Sequence, residues 1–261
     1  MKLNQLNLVY FSPTGTTRKV IMAVSQKIDL KSVSYDLTVH KEKDPVLSFK
    51  SDDFVIFGIP VYSGRVPKTY LEYFKTLKGC NTPAALVATY GCRAYEDALI
   101  ELKTVVEEKG FKVIGAGAFP VEHSIVRSVG RGRPDKDDLR TIGEYGIGLN
   151  RKIKNLDTTE HVSLTVSGNS EYRKYSTIPL VPHVAPDYCN ECKTCAKGCP
   201  SGAISLENPK KTDKDKCISC MRCMRICPKH ARYVSKLKMN FAEKKIKKAC
   251  QGDRKEAEIF L

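Results

Sequence analysis

Apolar positions in the first 156 residues alternate between two spacings. Short runs at 6–11, 32–39, 54–61, 83–90 and 111–118 read as strands, and the segments 16–28, 67–77, 94–109 and 135–156 read as helices. The run Phe54-Val55-Ile56-Phe57-Gly58-Ile59-Pro60-Val61 is apolar at nearly every position. That is the pattern of a strand covered on both sheet faces. In the segment 16–28, Val20, Ile21, Val24 and Ile28 fall on one helical face. Pro67 opens one helix and Gly110 stops another. Five strands alternating with crossover helices predict an α/β domain with a doubly wound parallel five-stranded sheet over 1–156.

The pattern then changes. Residues 157–186, with Ser167-Gly168-Asn169-Ser170 and prolines at 179, 182 and 186, read as an extended connector packed on the neighbouring domains. Residues 187–232 form a second, small domain. Residues 233–261 read as an amphipathic basic tail with lysines at 244, 245, 247 and 248.

Cysteine usage sets the chemistry of the small domain. Eight of the 11 cysteines lie between 189 and 227, in a run C-x2-C-x2-C-x3-C-P that occurs twice. The first copy is Cys189, Cys192, Cys195, Cys199-Pro200; the second is Cys217, Cys220, Cys223, Cys227-Pro228. A zinc ribbon is expected to use paired C-x2-4-C ligands instead of triplets with a fourth cysteine. The repeated run resembles that of bacterial two-cluster ferredoxins, where the fourth cysteine ligates the other cluster. The resemblance implies two [4Fe-4S] clusters in a small α+β domain. One would be held by Cys189, Cys192, Cys195 and Cys227, the other by Cys217, Cys220, Cys223 and Cys199. Each proline disfavours the helical region for the cysteine before it and turns the chain away.

The end of the first strand carries Ser12-Pro13-Thr14-Gly15-Thr16-Thr17, immediately before a helix. Hydroxyls and a glycine at a helix N-terminus form an anion site, and no P-loop lysine is present. The segment resembles the phosphate loop of flavodoxins, with Ser12 in the place of a threonine. In such sheets the ligand lies beyond the C-terminal strand ends. The loops after the third and fourth strands, Pro60-Val61-Tyr62-Ser63-Gly64-Arg65 and Tyr90-Gly91-Cys92-Arg93-Ala94-Tyr95, should therefore converge with the first.

The flavodoxin resemblance covers 1–156 and implies noncovalent FMN. Ser12, Thr14, Gly15, Thr16 and Thr17 would hold the phosphate. Pro60, Val61, Tyr62, Ser63 and Gly64, with Tyr90, Gly91, Cys92 and Arg93, would line the ring. Tyr62, Tyr90 or Tyr95 would stack on it. With the ferredoxin-like segment, the whole resembles the flavodoxin–ferredoxin fusion proteins of anaerobes. Two departures stand out: there is no tryptophan, and Arg65 and Arg93 occupy loops that are acidic in ordinary flavodoxins. Positive charge there is expected to make the reduced flavin less strongly reducing.

Net charge changes the picture of partners. The formal charge of +15 falls to about +11 with two clusters near −2 each, and further with a flavin phosphate. A basic surface favours acidic redox partner proteins or an acidic small molecule. The tail lacks interleaved aromatics, so nucleic acid is not expected. With no run of about 18 apolar residues and no apolar leader, a soluble cytoplasmic protein without a membrane span is expected.

Gly115-Ala116-Gly117 lies in a strand followed by Phe119-Pro120, so it is not a dinucleotide fingerprint. His123 is expected to be a loop histidine. His40, His161, His183 and His230 lack ligand-like spacing, and Cys80 and Cys250 read as ordinary thiols. The leading expectation is an electron carrier linking FMN and two clusters. The alternative is an FMN-dependent oxidoreductase that reduces an acidic small molecule gripped by Arg65, Arg93 and Arg127, Arg131 or Arg133. No acid–base pair for catalysis is evident, and nothing specific supports a redox sensor.

Overall fold

A computed structural model describes residues 1–39, 46–160, 162–176, 180–250 and 254–261. His40, His161 and Pro179 lie outside the described residues. In chain order the elements are β1 (Gln5–Tyr10), α1 (Thr16–Ser25), β2 (Ser32–Asp36), β3 (Asp53–Pro60), α2 (Lys68–Phe74), β4 (Thr82–Tyr90), α3 (Ala98–Glu107), β5 (Phe111–Pro120) and α4 (Lys136–Lys154). After the connector come β6 (His183–Val184), α5 (Thr194–Lys197), α6 (Arg222–Arg225), β7 (Arg232–Tyr233), α7 (Lys236–Ala249) and β8 (Glu258–Phe260).

Strands β1 to β5 form a parallel sheet in the order 2-1-3-4-5, which is the flavodoxin-like doubly wound order. Helices α1 and α4 cover one face through Val20, Ile21, Val24, Ile142 and Tyr145. Helices α2 and α3 cover the other, where Phe57, Phe74, Leu99 and Leu102 pack. Every residue of β4 is buried, as the continuous apolar run requires. The Tyr145 hydroxyl donates to the Leu86 carbonyl at 3.1 Å and so satisfies itself inside the core.

The sheet differs from the expected five strands by one addition. Strand β8, from the chain's last residues, pairs antiparallel with β5 (Ala116 opposite Phe260, Ala118 opposite Glu258). The segment 233–261 is therefore not simply a tail: it carries a helix and then returns to the first sheet. Gly115 makes room for this return, because a Cβ there would stand 2.5 Å from Leu149 and 3.2 Å from Leu261. Sequence inspection alone could have flagged the apolar ending Ile259-Phe260-Leu261, but three residues carry too weak a period to declare a strand.

The connector packs on the first domain. The Asp97 carboxylate accepts from the Asn169 and Arg173 amides at 3.0 and 2.8 Å, and Leu164 and Val166 join the core under α2 and α3. Among the described residues, no helix is long and apolar enough to cross a membrane.

Candidate functional site

The cluster half is built by two copies of one loop. In the first, Glu191 and Lys193 take positive φ (54° and 60°); in the second, Ser219 and Met221 do (51° and 61°). The two pairs are 28 residues apart, like the cysteines themselves. A left-handed residue on either side of the middle cysteine bends the backbone sharply at the same place in each half-motif. Such conformations cost of order 1–2 kcal/mol per non-glycine residue, so four of them at matched positions mark a geometry required by what the loops enclose. Helices α5 and α6 then begin at Thr194 and Arg222, with Lys193 and Met221 as their N-caps.

Two cavities result. Cys189, Cys192, Cys195 and Cys227 line one, with Val184, Pro209, Ala231 and Arg232. Cys199, Cys217, Cys220 and Cys223 line the other, with Pro182, Ile204 and Met221. In each, three cysteines come from one half-motif and the fourth from the other. Burial pushes the Cys220 and Cys223 thiols up to about 12. Buried thiols at that density resist ionisation unless a cation replaces the proton, and the donor set of four sulfurs per cavity suits soft iron–sulfur ligation. Cys192 is exposed, so the first cavity opens toward solvent.

The three loops at the C-terminal edge of the parallel sheet do converge. Ser12 anchors the first: its amide donates to Thr38 Oγ1 at 2.9 Å, and its Oγ accepts from the Arg18 amide at 2.9 Å. Gly15, at φ 86°, precedes α1, and nothing lies within 4 Å of where its Cβ would be. The amides of Thr14, Thr16 and Thr17 have no acceptor among the described residues. This open, donor-rich helix start fits a phosphate. The Thr17 hydroxyl is committed elsewhere, 2.8 Å from Thr89 Oγ1 in the core, so Thr17 offers its amide and not its side chain.

In the second loop, Tyr62 and Arg65 exchange backbone hydrogen bonds (3.0 and 3.1 Å) around Ser63 and Gly64, both at positive φ. This is a two-residue hairpin. Gly64 is required there, since a Cβ would run into the Glu96 carboxylate. Pro60, Val61, Tyr62 and Ser63 are half-buried. Tyr62 stands edge-on to Phe11, and burial followed by the nearby Cys220 thiol pushes its hydroxyl well above the ordinary tyrosine range. In the third loop, Cys92 sits at φ 64°, and a Cβ on Gly91 would stand 2.5 Å from the His123 ring.

Several side chains expected at the ring also have partners within the protein. Tyr95 donates to Glu258 of β8 at 2.5 Å, and Tyr90 donates to the Glu256 carbonyl at 3.4 Å. Both hydroxyls belong to the seam with the C-terminal strand. Arg65 is engaged inside the protein. It is 8% exposed and forms a fork with Glu101 at 2.7 and 2.5 Å, with its guanidinium 4.2 Å from the Tyr175 ring centroid. Arg93 is exposed and paired with Glu96 at 2.6 Å. Positive charge aimed at a flavin from Arg65 is therefore not what this loop provides. The reason is the connector: Tyr172 and Tyr175 cover Arg65 from a segment that has no readable periodicity.

His123 is a loop anchor. Its Nδ1 accepts from the Ile125 and Val126 amides at 3.2 and 3.1 Å, and burial pulls its pKa down to about 4. The two halves meet at this same edge. Met221 and Met224, from the second cluster loop, pack with Cys92, Ile125, Val126 and Val129, and with Met239, Ile246 and Cys250 around α7. Ile218 packs against the same core layer as Tyr62. Arg222 Nε donates to the Gly198 carbonyl and Nη1 to the Pro13 carbonyl, both at 3.0 Å. The cavity of Cys199, Cys217, Cys220 and Cys223 thus adjoins the loops after β1, β3 and β4. These junction residues were not singled out from the sequence; the apolar and basic x positions within the second C-x2-C-x2-C were the available signal.

Residues 188–232 match the family model described as "4Fe-4S dicluster domain". A flavodoxin of Buchnera aphidicola is 31% identical over 97 residues, covering 36% of this chain and 54% of that protein. A flavodoxin of Klebsiella pneumoniae is 24% identical over 120 residues, covering 42% of this chain and 65% of that protein. The chain thus matches about half to two thirds of the length of these curated relatives. Among solved structures, a flavodoxin from the domain Archaea aligns with 58% of this chain and 99% of its own (TM-score 0.41, 15% identity). Fusobacterium nucleatum flavodoxin bound to flavin mononucleotide aligns with 57% and 99% (TM-score 0.40, 16% identity).

Proposed function

We propose that this chain, a flavodoxin-like domain joined to a 4Fe-4S dicluster domain, is an electron-transfer protein that relays electrons between two [4Fe-4S] clusters and FMN. When bound, FMN exchanges one or two electrons and each cluster one. The observation that carries this reading is the contact between the halves. The cavity of Cys199, Cys217, Cys220 and Cys223 abuts the three loops at the sheet edge, through Met221, Ile218 and Arg222. The other cavity faces solvent at Cys192. This arrangement supports an order of sites in which an outer cluster is reached by partner proteins and an inner cluster lies between it and the flavin loops. Residues Cys189, Cys192, Cys195 and Cys227 would hold the outer cluster, and Thr14, Thr16 and Thr17 would hold the flavin phosphate on backbone amides, while the Gly15 amide donates to the Ser12 carbonyl and closes the turn. Acidic redox proteins are the partners that the net charge of +15 favours.

The alternative, reduction of an acidic small molecule, needs free arginines at the edge. Arg65 is buried against Glu101, Arg133 against Asp138, and Arg127 and Arg93 are paired with Glu122 and Glu96, which leaves exposed Arg131 without a carboxylate partner among the described residues. That reading consequently has less to stand on. Anaerobic reconstitution with iron, sulfide and FMN, followed by EPR-monitored titration, tests the relay. About eight irons and one FMN per chain are expected; four irons, or no flavin uptake, would overturn it.

A further inference from the structure

The two half-motifs can be superposed by their offset of 28 residues. Cys199 answers to Cys227, Pro200 to Pro228 and Ala203 to Ala231; by the same offset Ile204 answers to Arg232. Ile204 is 5% exposed and packs with Cys195, Ala196, Cys199 and Cys223. Arg232 is 4% exposed. The first half buries an aliphatic side chain at this position and the second buries a guanidinium.

Its environment is unusual for a buried arginine. Nη1 donates to Thr212 Oγ1 at 2.7 Å and Nη2 donates to the Pro209 carbonyl. Nε is fully buried and has no acceptor among the described residues. No described carboxylate forms an ion pair with the group. Taking a charge out of water without a counter-ion is strongly unfavourable, and an unfilled buried donor adds to that cost. Arg65 and Arg133, also buried, each have a carboxylate fork. What Arg232 has instead is sulfur. It lines the cavity of Cys189, Cys192, Cys195 and Cys227, and its charge also reaches Cys217 and Cys223 of the other cavity.

We propose that Arg232 is the internal counter-charge of the cluster half, with Nε–H donating to sulfur in the cavity of Cys189, Cys192, Cys195 and Cys227. This rests on the reading that the cavities hold clusters. Reduction adds one electron from an external one-electron donor and makes the cluster more negative, with no bond broken. A fixed cation and an N–H donor beside it favour the reduced state, so Arg232 raises the reduction potential of that cluster, and its charge acts on the neighbouring one as well. The asymmetry between Ile204 and Arg232 then makes the two clusters unequal electron reservoirs despite their matched ligand loops.

The test uses the full chain with its clusters, titrated with dithionite under EPR. Arg232→Ile, which copies Ile204, is expected to lower the potential of the affected cluster so that the oxidised-to-reduced ratio at fixed potential rises at least tenfold, about 59 mV. Arg232→Lys keeps the charge and should recover part of the shift. Deuterium-sensitive couplings of the cluster in the wild type should disappear in Arg232→Ile, a signature that a merely structural role would not produce. Should Arg232→Ile fail to assemble clusters, Arg232→Gln against Arg232→Lys carries the test, the glutamine variant having the lower potential. Unchanged potentials in a variant with full iron content overturn the proposal. A wild-type chain that does not hold two clusters by iron and sulfide counting sinks the underlying reading instead, and is detected before any variant is made.

Discussion

Arg222 and Pro13 join the two halves of the chain: Nη1 of the arginine donates to the proline carbonyl at 3.0 Å, across 209 residues of sequence. The same guanidinium holds the Gly198 carbonyl next to Cys199. One side chain thereby ties the inner cysteine loop to the loop that starts α1. Loss of a hydrogen bond to a charged donor costs about 1.5–3 kcal/mol. Arg222→Ala is expected to retain iron and FMN but to slow electron exchange between them by about tenfold, read by flash photolysis. An unchanged rate would mean that the contact does not hold the relay geometry.

The exchange of fourth cysteines predicts crossed effects. Cys227→Ser should alter the EPR signature of the cluster bound by the first half-motif, and Cys199→Ser that of the second. If each serine instead disturbed the cluster of its own triplet, the ligand sets given by the two cavities would be wrong.

Arg65 and Glu101 predict a stability effect without a redox effect. Breaking a buried pair by removing one partner costs about 3–5 kcal/mol. Arg65→Ala should fall in that range in chemical denaturation followed by circular dichroism, while the flavin potential stays where it was. A shifted potential with intact stability would return Arg65 to the flavin.

His123 gives a pH dependence with a defined sign. Its folded-state pKa of about 4 lies below the ordinary 6.5, so the unfolded chain binds the proton more readily. Stability from this group is complete above about pH 6.5 and is lost as pH falls toward 4, by up to about 3 kcal/mol. Urea midpoints measured between pH 7 and 4 should fall less steeply in His123→Gln than in the wild type. Equal slopes would show that the imidazole does not titrate there.

The C-terminal strand predicts an edge effect. Removing residues 256–261 exposes β5, strips the partner from Tyr95, and should produce self-association visible by light scattering. A monomer of unchanged stability would make β8 ornamental.

Legibility followed the strength of the local signal. The five parallel strands announce themselves because runs such as 54–61 are buried on both faces, and the open helix start at Gly15 because hydroxyls crowd it. The grouping of the eight cysteines around two cavities follows their spacing, which is a local code. Other features depended on distant chain. Arg65 looked like a flavin-facing charge until Glu101 and the connector tyrosines claimed it. The Tyr95 hydroxyl pairs with Glu258, 163 residues away, a contact no local pattern announces. Arg232 was readable in principle, by aligning the repeat beyond its cysteines to Ile204.

Strand β8 has a topological consequence. The chain leaves the first sheet at α4, builds the cysteine loops, and comes home through α7 to lie against β5. The cluster half is thus moored at both ends, like a bridge span and not a pennant. A single proteolytic nick anywhere in 157–186 would leave the two halves connected through the sheet, and severing them takes two cuts.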